Sequence, residues 1–325
     1  MHRLAQELVR AGHEVTVLSF SEPPGDPAYR HRPLSPRSLG TSAFARLTAV
    51  PVVLNWADTS GLDMLHLHGD DWFYVRRPLP TVRTFHGFAL YEAKHGTRLR
   101  LRARQLATYP LEVVASHLAT RSYGVTEGSQ APLYRLDGVL SNGTAIAPAK
   151  GPKSEAPSVL FVGTWEGRKR GRLLAEAFAR DVLPARPSAE LWMVSDRCED
   201  SRQVRWFEAP SDAELAELFR RAWVFCLPSN YEGFGIPYIE AMSAGTPVVA
   251  TPNPGSRMVL EDGRSGLLVA DHELGPALLK LLEDPNQRAR MVEAGSRRVR
   301  DFCWDKVVEA HEAAYRRVIG ERSAG

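Results

Sequence analysis

Two glutamates eight positions apart, Glu232 and Glu240, bracket the stretch of this chain best suited to chemistry. Gly233, Phe234 and Gly235 lie between them, followed by Pro237. A glycine-bearing loop that runs into a helix presents unpaired amides and the positive end of a helix dipole, which suits a phosphate or diphosphate. A carboxylate beside such amides is poorly placed to bind phosphate. It is well placed to accept hydrogen bonds from ring hydroxyls. Together these features call for a ligand that joins a diphosphate to hydroxyl-bearing rings. The same spacing also fits a generic strand–loop–helix packing unit, because glycine-rich loops are common.

Two further sets of residues could serve such a ligand. Arg168, Lys169 and Arg170 are three adjacent cations just after an apolar run, Ser158 to Gly163. That placement suits a diphosphate clamp, although it also fits a solvated basic turn. His86 ends another apolar run and precedes Gly87. The carboxyl end of a strand is where ligands bind in open α/β sheets, while a histidine capping a turn is the plainer alternative. His68 is a weaker candidate of the same kind. Asp70 and Asp71 could pass for a metal-binding pair, but no further oxygen ligands cluster near them, and a solvated loop is the preferred reading.

The elements that must position these residues alternate between strand and helix. Trp223 to Leu227 reads as a buried strand, Pro237 as a helix start, Gly245 as its stop, and Pro247 to Thr251 as the next strand. Met1 to Arg10 places Leu4, Ala5 and Leu8 on one helix side, and Glu14 to Phe20 reads as a strand. Leu62 to His68, Thr81 to Gly87, Arg121 to Thr126 and Gly138 to Ser141 continue the first half as strands. A helix is expected near Phe44 to Leu47, and two helices broken near Pro110 between Tyr91 and His117. Arg98, Arg100, Arg102 and Arg104 in that stretch cannot form one narrow stripe. They read as a solvated face, or as a lip for an anionic acceptor or membrane. In the second half, Leu191 to Ser195 and Val204 to Phe207 read as strands, and Ser211 with Glu214 has capping-box spacing. Ala145 to Pro157 reads as a linker.

Residues 232–240 resemble the E-x7-E motif of the retaining family-4 glycosyltransferases with the GT-B fold. Ala241 to Thr251, Asp262-Gly263 and Ser265 to Val269 continue the resemblance. In the first half, Gly12 to Leu18, Thr84 to Gly87 and the Asn142-Gly143 turn are similar to that family, as is Phe302 to Trp304 near the end. Lys169 falls at the family's diphosphate lysine. Thr164 stands where the family has arginine, so Arg168 or Arg170 would supply that charge. The family's first strand and glycine-rich loop have no counterpart in this sequence.

The resemblance implies an α/β GT-B fold, with two Rossmann-like domains facing a cleft. The expected division is 1–145 (acceptor side), a linker at 146–157, 158–303 (nucleotide-sugar side) and a helix at 304–325 that crosses back. It implies metal-independent transfer of a hexosyl group, with retention, from a nucleotide-diphosphate sugar to a hydroxyl acceptor. The acceptor classes are polysaccharide, lipid (which could be anionic) and small-molecule glycoside. His86, Glu232 and Lys169 would be the catalytic set. Arg168, Lys169, Arg170, Gly233, Phe234, Gly235 and Glu240 would hold the donor, with no separate cofactor. The alternatives are a non-catalytic glycosyltransferase-like partner subunit and another GT-B enzyme such as a nucleotide-sugar epimerase. A phosphorylase would need a pyridoxal-phosphate lysine in its own context, and a dehydrogenase would need G-x-G-x-x-G after an initial strand. Neither is seen.

Composition sets wider bounds. The 325 residues suit two domains, and 44% apolar with 24% charged content is ordinary for a globular chain. Residues 1–150 carry 17 Lys and Arg against 12 Asp and Glu, while the remainder carries 24 against 26. That asymmetry is too mild to argue nucleic acid, but it allows peripheral contact with an anionic membrane face. Only six of the 41 basic residues are lysine, which points to a GC-rich, bacterial genome. Cys198, Cys226 and Cys303 lack ligand-like spacing, and a reduced, cytoplasmic compartment is expected.

Overall fold

Short runs of Val, Leu, Phe and Tyr supply the strands, and every strand pairing among the described residues is parallel. A computed structural model describes residues 1–19, 21–34, 51–69, 71–96, 99–127, 132–145, 151–198 and 203–323. The chain divides into two units. Unit 1 comprises Met1–Leu90, Arg104–Gly143 and Trp304–Gly325, and unit 2 comprises Tyr91–Ala103 and Thr144–Cys303. No helix among the described residues is long and apolar enough to cross a membrane.

Unit 1 begins with helix α1 (His2–Arg10), which buries Leu4, Ala5 and Leu8. Strand β1 (Thr16–Ser19) pairs with β2 (Arg30–Pro33), a strand within the Pro- and Arg-rich stretch that gives no clear signal in the sequence. A separate sheet holds β3 (Leu65–Leu67), β4 (Thr81–Phe85), β5 (Arg121–Gly124) and β6 (Gly138–Val139), in that order. The helix expected near Phe44 to Leu47, Asp70 and Arg98 lie outside the described residues.

Helix α2 (Ala89–His95) precedes α3 (Leu99–Leu118), which continues through Pro110. This differs from the break expected at that proline. Proline removes the hydrogen bond to the carbonyl four residues back. Here that residue is Leu106, which is 54% exposed, so water can serve its carbonyl and the helix need not end.

The C-terminal helix α10 (Trp304–Ser323) is part of unit 1's core. Its Val307 and Val308 pack with Leu4 and Leu8, and its Ala314 and Val318 pack with Val82, Tyr123 and Leu140. A buried ion cluster completes this unit. Asp71, expected to be a solvated loop residue, is instead fully buried and pairs with Arg83 and with Arg77 Nη2 at 3.2 Å. The Arg83 guanidinium also lies 4.1 Å from the Phe85 ring centroid.

Four histidines gather in the same unit. His68 Nδ1 lies 3.0 Å from His86 Nε2, and the His66 and His68 rings are 3.9 Å apart. His66 bonds the Tyr315 hydroxyl at 2.7 Å, and His311 bonds the Val307 carbonyl at 2.7 Å. Burial lowers all four below the ordinary histidine value, and His86 is pushed down to about 4. The folded state therefore binds fewer protons than the unfolded chain between pH 6.5 and about 4, so stability falls as pH falls through that window. His86 is the most exposed of the four, so solvent screens its share. His311, 3% exposed, is out of water and shares the effect with His66 and His68. Urea midpoints should drop between pH 7.5 and pH 5, and His311→Gln should flatten that drop.

Among the described residues, unit 2 holds one six-stranded sheet. In chain order its strands are β7 (Ser158–Val162), β8 (Glu190–Val194), β9 (Val204–Phe207), β10 (Val224–Leu227), β11 (Val248–Ala250) and β12 (Leu267–Leu268). In space the order is β12-β11-β10-β7-β8-β9. Helix α4 (Gly171–Ala177) leads into a π-helical turn over Phe178–Val182. Helix α5 (Asp212–Arg221) carries the capping box that Ser211 and Glu214 announce. Helices α6 (Ile236–Ser243), α7 (Pro254–Val259), α8 (Leu274–Glu283) and α9 (Pro285–Arg298) follow. The described part of the expected linker is tied down: Lys153 Nζ donates to Arg220 O, Gly245 O and Thr246 Oγ1.

Candidate functional site

The strand order of unit 2 reverses at β7. The chain runs outward through β8 and β9, then returns to place β10 on β7's other side. Connections leave the carboxyl ends of these two strands in opposite directions, which opens a crevice where ligands of open α/β sheets bind. The loop after β7 carries Arg168, Lys169 and Arg170, and the loop after β10 carries Glu232, Gly233, Phe234 and Gly235. The two sets named from sequence therefore meet at one switch point.

Their contact is direct. Lys169 Nζ lies 2.7 Å from Glu232 Oε1, and Arg168 Nη1 lies 3.1 Å from Glu232 Oε2. Glu232 is 4% exposed, so this carboxylate is held out of water between two cations. Arg168 also donates to the Tyr231 carbonyl at 2.9 Å, and its own carbonyl accepts from the Asn230 amide at 2.9 Å. Burial lowers the Lys169 ammonium below its ordinary value, while Glu232, and more weakly Glu240, raise it. Buried charges persist when paired. Here the pairing comes from within the site itself.

Arg170 has a different setting. Its guanidinium reaches Asp271 at 2.6 Å, Thr251 Oγ1 at 3.1 Å and the Pro228 carbonyl. Its backbone is left-handed, with φ 58°. These contacts brace the turn into α4 and join the β7 loop to the segments after β10 and β12.

Helix α6 starts at the crevice. Gly235 caps it with φ 96°, and Pro237 sits in its first turn. The first amides of a helix have no intrahelical acceptor, so those near Phe234 and Gly235 are available to an anion. Phe234 is buried edge-on against Phe302, with ring centroids 5.4 Å apart. Glu240 lies half-buried on the same helix. A methyl group on Gly235 would meet the Tyr238 ring at 2.4 Å, and the left-handed backbone is strained for any other residue. Gly235→Ala should cost about 1–2 kcal/mol from handedness alone. It should weaken anion binding further by shifting the cap, which calorimetry with a nucleoside diphosphate would measure.

One feature of the site is an aromatic stack that sequence motifs do not announce. Tyr231 stacks with Tyr91 at 5.7 Å and with His95 at 5.8 Å between ring centroids. Tyr91 and His95 come from α2, far away in sequence. Their spacing of four residues on one helix was the clue available. His86 belongs to unit 1, at the end of β4, beside His68.

Parallel sheets of this kind, with a site at the switch point, define an α/β protein of the GT-B class. Solved structures share this fold. Sucrose-phosphate synthase from Thermosynechococcus elongatus has a TM-score of 0.76 at 20% identity, covering 98% of this chain and 92% of that one. Anabaena HepE, solved with UDP and glucose, has a TM-score of 0.63 at 17% identity, covering 88% and 86%. Residues 144–298 match the glycosyl transferases group 1 family, and residues 1–127 match glycosyltransferase family 4. The chain belongs to the group 1 and family 4 glycosyltransferases. The D-inositol 3-phosphate glycosyltransferase of Mycobacterium tuberculosis is 34% identical over 184 residues, 51% of this chain. That match spans 38% of the relative's length.

Proposed function

We propose that this protein transfers a hexosyl group from a nucleotide-diphosphate sugar to a hydroxyl acceptor, with retention and without a metal. The observation that carries this reading is the Lys169–Glu232–Arg168 cluster at the switch point, beside the amino end of α6. A diphosphate in that crevice would draw Lys169 and Arg168 toward its oxygens and take up the α6 amides. These groups would stabilise the charge that builds on the leaving nucleoside diphosphate, usually the largest electrostatic contribution to such a step. Lys169 and Arg168 stand in for the metal by supplying that charge. Glu240 would bind the ribose hydroxyls and Glu232 the transferred sugar. The role of His86 toward that sugar rests on the family resemblance alone. The leaving phosphate would take the acceptor proton, with attack from the same face.

A thermal-shift panel of UDP-, GDP-, ADP- and dTDP-sugars tests the donor. Turnover is then followed with acceptors that include a phosphorylated polyol, the class named by the mycobacterial relative. One donor should stabilise the protein, and Lys169→Ala or Glu240→Ala should remove that stabilisation. Unchanged donor affinity in both variants would refute the assignment. Donor binding without turnover on any acceptor would favour a non-catalytic partner, and donor conversion without acceptor an epimerase.

A further inference from the structure

Tyr231 links the two loops of the donor crevice, and the proposed function gives its ring partners, Tyr91 and His95, no task. All three residues belong to unit 2. Tyr231 is 2% exposed and immediately precedes Glu232. The Asn230 amide donates to the Arg168 carbonyl at 2.9 Å, and Arg168 Nη1 donates to the Tyr231 carbonyl at 2.9 Å. The same nitrogen lies 3.1 Å from Glu232 Oε2. The place of the Arg168 guanidinium is therefore set by where residues 231 and 232 stand.

The Tyr231 ring is held separately, by α2. Tyr91 and His95 are four residues apart on that helix, so they share one face. The Tyr91 ring lies 5.7 Å from the Tyr231 ring at an interplanar angle of 23°, and the His95 ring lies 5.8 Å away at 2°. Both fall in the range of offset stacking. Burial and the adjacent Lys94 hold His95 below the ordinary histidine value, so at neutral pH it stacks as an uncharged ring. A ring packed against two others from one helix face is restrained in its rotamer, and so is the backbone that carries it.

We propose that Tyr91 and His95 are positioning residues of the donor site: stacked on Tyr231, they fix the carbonyl and the carboxylate that aim Arg168 at the leaving diphosphate. The role toward the diphosphate rests on the function proposed above, but the restraint on Arg168 exists without ligand. A cation aimed beforehand needs no rearrangement as charge develops. Misplacing such a group by about 1 Å can slow a reaction by about 10²-fold. A plain packing contact would instead affect stability and leave the Arg168 contacts and nucleotide affinity as they are.

Hydrogen exchange in the free protein tests the restraint. Tyr91→Leu and His95→Ala should each speed exchange at the Asn230 amide by about three- to tenfold, the worth of one aromatic pair. Tyr91→Phe and His95→Phe keep a ring and should stay within about twofold of the parent. Tyr91 and His95 are half-buried, so the variants should still melt cooperatively, and His95→Ala carries the test if Tyr91→Leu does not fold. Calorimetry with the tightest binder among UDP, GDP, ADP and dTDP tests the role in the site. Each ring-deleting variant should weaken that nucleotide by about three- to tenfold. In an Arg168→Ala background Tyr91→Leu should change affinity by less than about twofold, because residues that act through one another are not additive. Unchanged Asn230 exchange in both ring-deleting variants overturns the inference, whatever the nucleotide does. A full loss of affinity that persists in the Arg168→Ala background also overturns it. Faster Asn230 exchange with no nucleotide bound by the parent, or with affinity unchanged in Lys169→Ala, refutes the diphosphate reading itself and the positioning role with it.

Discussion

Lys169→Ala should lower kcat/KM for sugar transfer by about 10²–10³-fold, the range seen when one preorganised donor to a developing anion is removed. The loss should appear in kcat as well as in donor affinity, because charge on the leaving diphosphate grows as the glycosidic bond breaks. Lys169 is nearly enclosed and its ammonium is lowered by burial, yet Glu232 at 2.7 Å keeps it paired. Substitution therefore removes a cation and leaves Glu232 facing the donor phosphates with Arg168 alone. Glu232→Gln provides the contrast. It releases Lys169 and removes a negative charge beside an anionic ligand. Binding of the free nucleoside diphosphate should tighten several-fold, while transfer falls. Calorimetry and initial rates on both variants test the pair. Equal losses of affinity in the two would show that the cluster acts only as a structural brace.

Asp71→Ala should destabilise unit 1 by about 3–5 kcal/mol, enough to threaten folding of a marginally stable domain. Arg83 is 2% exposed on the central strand β4, and Arg77 is nearly as enclosed. Without Asp71, the two buried guanidiniums lose the carboxylate that pairs them both. The cost comes mainly from that uncompensated charge rather than from the lost attraction. Asp71→Ala combined with Arg83→Met should accordingly recover a large part of the stability, because an apolar side chain of similar length needs no partner. Urea unfolding of the single and double variants measures this. If the double variant is no more stable than Asp71→Ala, the charge argument fails.

Much of unit 2 could be read in advance because its signals are local. The Ser211 and Glu214 spacing forms its capping box, Pro237 lies in the first turn of α6, and apolar runs became β7 and β10. That Lys169 and Glu232 serve one site follows from the family resemblance, and their direct pairing joins positions 63 apart that no local rule links. Unit 1 was harder. Its strands span only two to five residues, and β2 reads RHRP, which carries no apolar alternation. Asp71 looked like a loop residue because its partners, Arg77 and Arg83, become visible only once β4 is folded. Pro110 reads as a breaker because sequence does not tell which carbonyls a helix leaves to water. The stack of Tyr91 and His95 on Tyr231 joins segments about 140 residues apart in the chain, beyond the reach of any periodicity.

Helix α10 closes unit 1 from the far end of the polypeptide, and this bears on the order of events during synthesis. The ribosome delivers residues 1–143 well before the helix whose Val307, Val308, Ala314 and Val318 fill their core. Residues 144–303 are contiguous, so the later half can mature while the earlier half waits for its seal. Nascent chains stalled once residue 303 has cleared the exit tunnel should resist protease in the later half and remain cleavable in the earlier one.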